Sequence, residues 1–276
     1  MYPRRPLRGF DPLAYLARYF DTVEVNSTFY RPQDPKVARA WCKRVASNRS
    51  FRFAAKLWKR LTHEREPYGM EEVKAARAAL DAMAEEDRLG AVLLQFPWSF
   101  RRDPSTVNWL HDLFSALRGL PLVLEVRHAS WNVPETYAAL SDCGVGFVNV
   151  DQPLFKGSLR PSAVATARLG YVRVHGRNYA DWFRENAGRD ARYDYLYTAE
   201  ELAPWADRAR ALARTPTVED VYVVTNNHFE GKAVANAVML RAMVEGRRVE
   251  APDDLLDRYR ASLAPFAAPG GQQRLL

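Results

Sequence analysis

The sequence predicts an α/β fold, a TIM-type (β/α)8 barrel in which only seven of the strands are visible in this chain. Three observations carry that reading. Short apolar strands alternate with amphipathic helices along the chain. No GxGxxG or Walker-type loop follows an early strand, as an open doubly wound sheet would require. Nearly every strand starts apolar and ends polar on one face. In a barrel those ends meet at a single rim, where chemistry in this architecture is placed.

The strands are expected at 22–26 (TVEVN), 51–56 (FRFAAK), 91–95 (AVLLQ), 121–127 (PLVLEVR), 146–151 (GFVNVD), 171–175 (YVRVH) and 221–226 (VYVVTN). Between and after them, helices are expected at 11–20, 35–47, 70–87, 104–118, 133–142, 199–214, 231–246 and 253–261. Several helix starts carry local signals. Asp103 with Pro104, and Pro134 with Glu135, suit an N-cap region with proline in the first turn. Thr198 followed by Glu201 fits a capping box. No linker, repeat or low-complexity block interrupts the pattern. The organisation is therefore one barrel domain over 1–262, with 263–276 as a loose C-terminal tail.

Composition narrows the class. The chain has 276 residues, of which 47% are hydrophobic, so it can build a sizeable core. No apolar run approaches the roughly 18–20 residues that span a bilayer. The first ten residues, MYPRRPLRGF, lack the apolar stretch of a secretory signal. A cytoplasmic protein without a membrane partner is expected. Cys42 and Cys143 lie far apart in apparent helices and are expected to be buried free thiols.

Net charge is +7 and unevenly spread: residues 1–65 hold 15 Lys and Arg against 5 Asp and Glu. Such a surplus can attract nucleic acid. The chain also uses 33 Arg against 7 Lys, a bias with the look of genome composition. The helix at 35–47 sets Arg39, Lys43 and Arg44 beside an apolar stripe, as an ordinary solvated face does. Nucleic acid is therefore the less favoured partner.

Alternate residues of a strand share a face. One parity collects Glu24 and Asn26 from the first strand, Lys56 from the second and Gln95 from the third. It continues with Glu125 and Arg127, Asn149 and Asp151, Arg173 and His175, and finally Asn226. Any one of these has a structural explanation, such as an ion pair that fixes register or a satisfied core histidine. A pattern repeated at the same end of seven strands calls for a pocket. Burying so many charges costs more than apolar packing would.

The chemistry expected of this ring is metal-independent action on an anionic, phosphorylated small molecule. Arg127 and Arg173 suit a bidentate clamp for phosphate or carboxylate. Glu24 and Glu125 are the candidate acid and base, and His175 a proton shuttle. Lys56 can neutralise developing charge or form a Schiff base if its pKa is lowered. Asn26, Gln95, Asp151 and Asn226 would bind and orient the ligand. The aromatic loop 176–197, with Tyr179, Trp182, Phe183, Tyr193 and Tyr195, suits a lid or side-wall packing. No cofactor is expected, and no metal: three cations share the ring and no HExxH spacing appears. A non-catalytic sensor using the same pocket is the remaining alternative.

The motifs VEVNSTFYRP, FRFAAKLW with LTH at 61–63, LLQFPWSF, LVLEVRHASW, YVRVHGRN, YDYLY followed by EEL, and VYVVTNNHFEGKAVANA occur in this order. Together they resemble the YecE-like family, also called domain of unknown function seventy-two, from about Tyr2 to about Tyr259. The resemblance implies a barrel fold and no settled reaction. It also implies a further strand ahead of the segment matching Met1–Leu7. The expectation is thus either a misassigned start or a gap between strands 22–26 and 221–226, with two exposed sheet edges.

Overall fold

The computed structural model describes residues 2, 3, 8–182, 184 and 191–270. Seven parallel strands follow one another in sequence order around a nearly closed barrel. They are β1 (Thr22–Val25), β2 (Arg52–Lys56), β3 (Leu89–Gln95), β4 (Leu122–Glu125), β5 (Gly146–Asp151), β6 (Leu169–Val174) and β7 (Asp220–Thr225). The longer helices intervene: α1 (Pro12–Leu16), α2 (Ser27–Tyr30), α3 (Pro35–Arg44), α4 (Met70–Glu85), α5 (Pro104–Ala116), α6 (Pro134–Asp142), α7 (Ala199–Ala213) and α8 (Lys232–Glu245). Strands such as LGAVLLQ of β3 are covered on both faces, which is why they read as apolar runs rather than as alternation.

The expected helix signals act as capping groups. The Asp103 carboxylate accepts from the Thr106 N–H at 2.9 Å, with Pro104 in the first turn of α5. Thr198 and Glu201 form the reciprocal box at the start of α7. At α6 the cap residue is Val133, which offers no side-chain acceptor; Pro134 alone marks the start. The cysteines divide: Cys42 is a buried free thiol, whereas Cys143 is exposed just past the end of α6.

Register fixes which side chains enter the barrel, because paired residues of parallel strands project to the same side. The pairs Glu24↔Ala54, Lys56↔Leu93, Gln95↔Glu125 and Arg173↔Val224 confirm the expected parity for six strands. β5 departs from it. Val150 pairs with Arg173, so Val148 and Val150 point inward, and Asn149 and Asp151 point out toward the helical layer. The expectation failed because β5 is fully buried on both faces, so polarity does not mark its inner side. Outside the barrel, the loop 153–166 satisfies Asn149: its side chain bonds the Val164 N–H and C=O and the Ser162 hydroxyl.

The register between β2 and β3 shifts at Phe53/Ala54, leaving Gly90 as the unpaired residue of β3. Tyr222 of β7 reaches it, and stacks on Tyr171 of β6 with ring centroids 6.0 Å apart. These rings plug the barrel below the polar rim.

β1 pairs only with β2, and β7 only with β6, among the described strands. The expected gap between them is therefore present. A cavity of about 1460 Å³ runs along this seam, lined by Leu16, Phe20 and Val23 on one side and by Val221, Val223 and Leu240 on the other. It continues up to the rim. The helix expected at 253–261 is instead two short pieces, α9 (Asp253–Arg258) and α10 (Arg260–Leu263). The expectation of a loose tail from 263 also needs correction. β9 (Ala267–Pro269) pairs with β8 (Val249–Ala251), and Ala267 is buried; 271–276 lie outside the described residues. Buried apolar contacts with α8 and β8 outweigh the coil-like composition.

A Cβ on Gly90 would lie 2.6 Å from Tyr222 Cζ and 2.8 Å from Arg52 Cβ. Gly90→Ala should therefore cost about 1–3 kcal/mol in urea unfolding, the usual penalty of overpacking. Unchanged stability would mean that the tyrosine plug yields freely.

Candidate functional site

The site is built around one guanidinium. Arg173, at the C-terminal end of β6, is 1% exposed. Its Nε and Nη2 donate to the two Glu24 oxygens at 2.9 and 2.5 Å, a bidentate grip on β1. Its Nη1 donates to Glu125 Oε2 of β4 at 2.9 Å. Glu125 is itself fully buried and also accepts from Arg127 Nε at 3.0 Å and from His175 Nε2 at 3.1 Å. Three charge-assisted bonds on one carboxylate meet the requirement for burying it.

Burial alone would raise the Glu125 pKa, but Arg173, His175 and Arg127 override it and hold the carboxyl well below its ordinary value. His175 moves the other way. Burial first, then the Arg127 charge, pushes its pKa down to about 3, so it is neutral at physiological pH. A neutral imidazole donating from Nε2 to Glu125 leaves Nδ1 to accept from Asn226 Nδ2, 3.1 Å away. Both ring nitrogens are thus committed.

Lys56 lies on the opposite side of this ion cluster. Its Nζ sits over the face of Phe29, 3.7 Å from the ring centroid. Phe29 belongs to α2, which Thr28 pins in place by donating to the carbonyls of Lys56 and Val25. The edge of His63 packs on the same ring, with centroids 4.9 Å apart. Among the described residues Lys56 forms no ion pair within 4.0 Å, although Glu24 and Glu125 are near enough to act on its charge. Burial and then Arg173 lower the Lys56 pKa to about 8, against the pull of both carboxylates. His63 is pushed down to about 4 by burial and then by Lys56.

The cavity is lined by seven of the ten expected site residues: Glu24, Asn26, Lys56, Gln95, Arg127, Arg173 and Asn226. Three need correction. Asp151 lies outside the ring for the register reason given above. It pairs with Arg177 at 2.9 Å and accepts from the Tyr197 hydroxyl. Glu125 and His175 join the ring but are fully buried and do not line the cavity. Their polar contacts are with Arg127, Arg173 and Asn226, and with each other. Arg173 is likewise spent on Glu24 and Glu125, which leaves Arg127 as the more open guanidinium. Gln95 donates to the Phe96 carbonyl and so holds its own loop as well.

Asn26 caps α2 without a side-chain cap bond. Of the aromatic loop, Trp182 and Tyr193 line the cavity, and Arg127 stacks on the Trp182 ring at 5.7 Å. Tyr179 and Tyr195 instead bond Leu154 and Glu201, and Phe183 lies outside the described residues. Phe29 and His63 were not among the expected site residues. Their signal was position: both lie in the loops that follow strand ends, in the short helix α2 and the π-helical turn Arg60–Glu64. Among the described residues no three His, Cys, Asp or Glu side chains group as metal ligands.

Comparison with known proteins agrees with this architecture. The chain is 28% identical over 259 residues to UPF0759 protein YunF of Bacillus subtilis, covering 89% of this chain and 90% of that one. It is similar to the crystal structure of a DUF72 family protein from Thermotoga maritima, with a TM-score of 0.75 and 31% identity over 87% of this chain and 92% of the other. A DUF72 family protein from Enterococcus faecalis has the same fold, with a TM-score of 0.76 at 24% identity over 85% of this chain and 88% of that one. The family described as Protein of unknown function DUF72 matches residues 1–258. The chain belongs to that family.

Proposed function

We propose that this protein binds a small anionic, phosphorylated molecule at the C-terminal rim of the barrel and acts on it without a metal ion. The observation that carries the reading is Lys56. In the inner cluster Lys56, Arg127 and Arg173 face Glu24 and Glu125, while His175 is neutral. One positive charge is left over, partly buried and facing the cavity. A cation held this way lowers stability unless something anionic comes to it. Arg127 on Trp182, together with Asn26 and Asn226, supplies further donors around the same space.

The nucleic-acid reading draws less support. Several basic residues of the first quarter are engaged with carboxylates from later in the chain. Arg39 pairs with Glu85, Arg52 with Asp87, and Arg60 with Glu66 and Glu72. Arg44 is bound by Asp11. A surface neutralised in this way presents little net field to a polyanion. No described helix is long and apolar enough to cross a membrane.

A thermal-shift screen of sugar phosphates, sugar sulfates and short oligonucleotides tests the reading, since a ligand specific for the folded state raises the melting temperature. A small phosphorylated compound should give a shift that Lys56→Ala removes. Shifts from oligonucleotides alone, fading with salt, would place the function elsewhere.

The pH dependence has a definite sign. Anion binding needs charged Lys56, so the shift from a sugar sulfate, whose charge is constant, should be largest below pH 8. It should fall as pH rises through about 8. A flat profile from pH 6 to about 10 would remove Lys56 from the binding step.

Without ligand, Lys56 works against the fold. Because its folded pKa is depressed, the unfolded chain binds more protons between about pH 8 and the ordinary lysine value, and stability rises with pH across that window. Lys56→Met should raise the melting temperature at pH 7 by a few degrees while losing the anion response. A fall in melting temperature would show that Lys56 is held for stability.

A further inference from the structure

We propose that Lys56 is an imine-forming amine, and that the ligand of this pocket carries an aldehyde or ketone beside its anionic group. The inference rests on the anion-pocket reading and names the chemistry within it.

The geometry sets Lys56 apart from the other six lysines. Lys59, Lys74 and Lys232 are held by Glu64, Glu71 and Asp194. Lys36, Lys43 and Lys156 are exposed to water. Lys232 also lies over a ring, that of Phe229, but is paired with Asp194; Lys56 alone of the seven lines the cavity and forms no ion pair among the described residues. An amine needs its lone pair to attack carbon; burial and the Arg173 guanidinium favour the neutral form, against the cation–π attraction of the Phe29 face and the pull of Glu24 and Glu125. The pKa of about 8 agrees: roughly a tenth of the side chains are neutral at pH 7, several hundredfold more than for an ordinary lysine.

The neighbourhood suits the steps that follow. The neutral Lys56 nitrogen attacks the carbonyl carbon, and the carbonyl π pair moves to oxygen. Proton transfer from nitrogen to that oxygen gives a carbinolamine. Its hydroxyl takes one further proton and leaves as water while the nitrogen lone pair forms the C=N bond. The product is a protonated imine and one water, with no oxidant or reductant required. His63 packs on the same Phe29 ring and is kept neutral. It therefore adds no charge beside the amine, and the ammonium proton that must leave before attack passes to water. Arg127, stacked on Trp182, faces the cavity to receive the anionic end.

The test is borohydride trapping with glycolaldehyde phosphate, a two-carbon phospho-aldehyde. Hydride reduces the imine carbon and leaves a stable secondary amine that peptide mass spectrometry can locate. The expected result is one saturable label per chain, on Lys56. At low aldehyde it should exceed any label on Lys36, Lys43 or Lys156 by about tenfold or more. Excess 2-hydroxyethyl phosphate, which has the phosphate but no carbonyl, should suppress it. Lys56→Arg should abolish the label, with the folded melting transition as its control. Label scattered over the exposed lysines, or no competition by the alcohol, overturns the proposal. A thermal shift from 2-hydroxyethyl phosphate without any Lys56 label also overturns it while leaving the anion pocket intact. The absence of both shift and label defeats the two readings together.

Discussion

The grip of Arg173 on two carboxylates is the constraint on which this structure turns. In a closed barrel, β1 and β7 would be joined through an eighth strand, and main-chain hydrogen bonds would hold the rim. Among the described strands β1 pairs only with β2 and β7 only with β6. The Arg173–Glu24 pair, with donors at 2.5 and 2.9 Å, ties β6 to β1 through the barrel interior. The bond to Glu125 extends the tie to β4. Breaking one partner of such a buried pair costs about 3–5 kcal/mol, because the other is left charged and dry. The rim is therefore held by this charge arrangement as well as by the β-ladders that run from β1 to β7.

That arrangement has a consequence for function. Arg173 is consumed by the carboxylates, and Glu125 is consumed by Arg173, Arg127 and His175. The most strongly charged groups in the ring are thus the ones least able to meet a ligand. What remains open is the group the network does not satisfy, Lys56, with Phe29 and His63 around it and Arg127 across the cavity. A satisfied network that surrounds one unsatisfied cation is a common way to preorganise a reactive amine. The surrounding side chains are locked, and the amine itself pays its desolvation cost before any ligand arrives.

Much of this was legible in the sequence because strand polarity and barrel geometry coincide. Glu24, Lys56, Gln95, Arg127, Arg173 and Asn226 each mark the inner face of a strand end by being polar where the rest of the strand is apolar. The rule broke at β5, where both faces are covered and Asn149 and Asp151 are satisfied outside the barrel by a loop and by Arg177. Pattern alone cannot separate a polar inner face from a polar outer face that a loop happens to complete. Depth was also hidden: Glu125 and His175 sit in the right ring but are fully buried. Phe29 and His63 were missed for a different reason. They lie on single turns of helix too short to leave a periodic signal, fixed by contacts such as Thr28 to the Lys56 carbonyl.

The central claim is that the ion network leaves Lys56 an unpaired amine with a lowered proton affinity. With only seven lysines in the chain, NMR titration of the lysine side chains is tractable, with Lys56→Arg giving the assignment. The account predicts that the Lys56 resonance, identified by its loss in Lys56→Arg, titrates near pH 8, well below the ordinary lysine value of about 10.4. A Lys56 titration at that ordinary value would contradict it, because the amine would then be paired or solvated and the pocket would hold no reactive nitrogen.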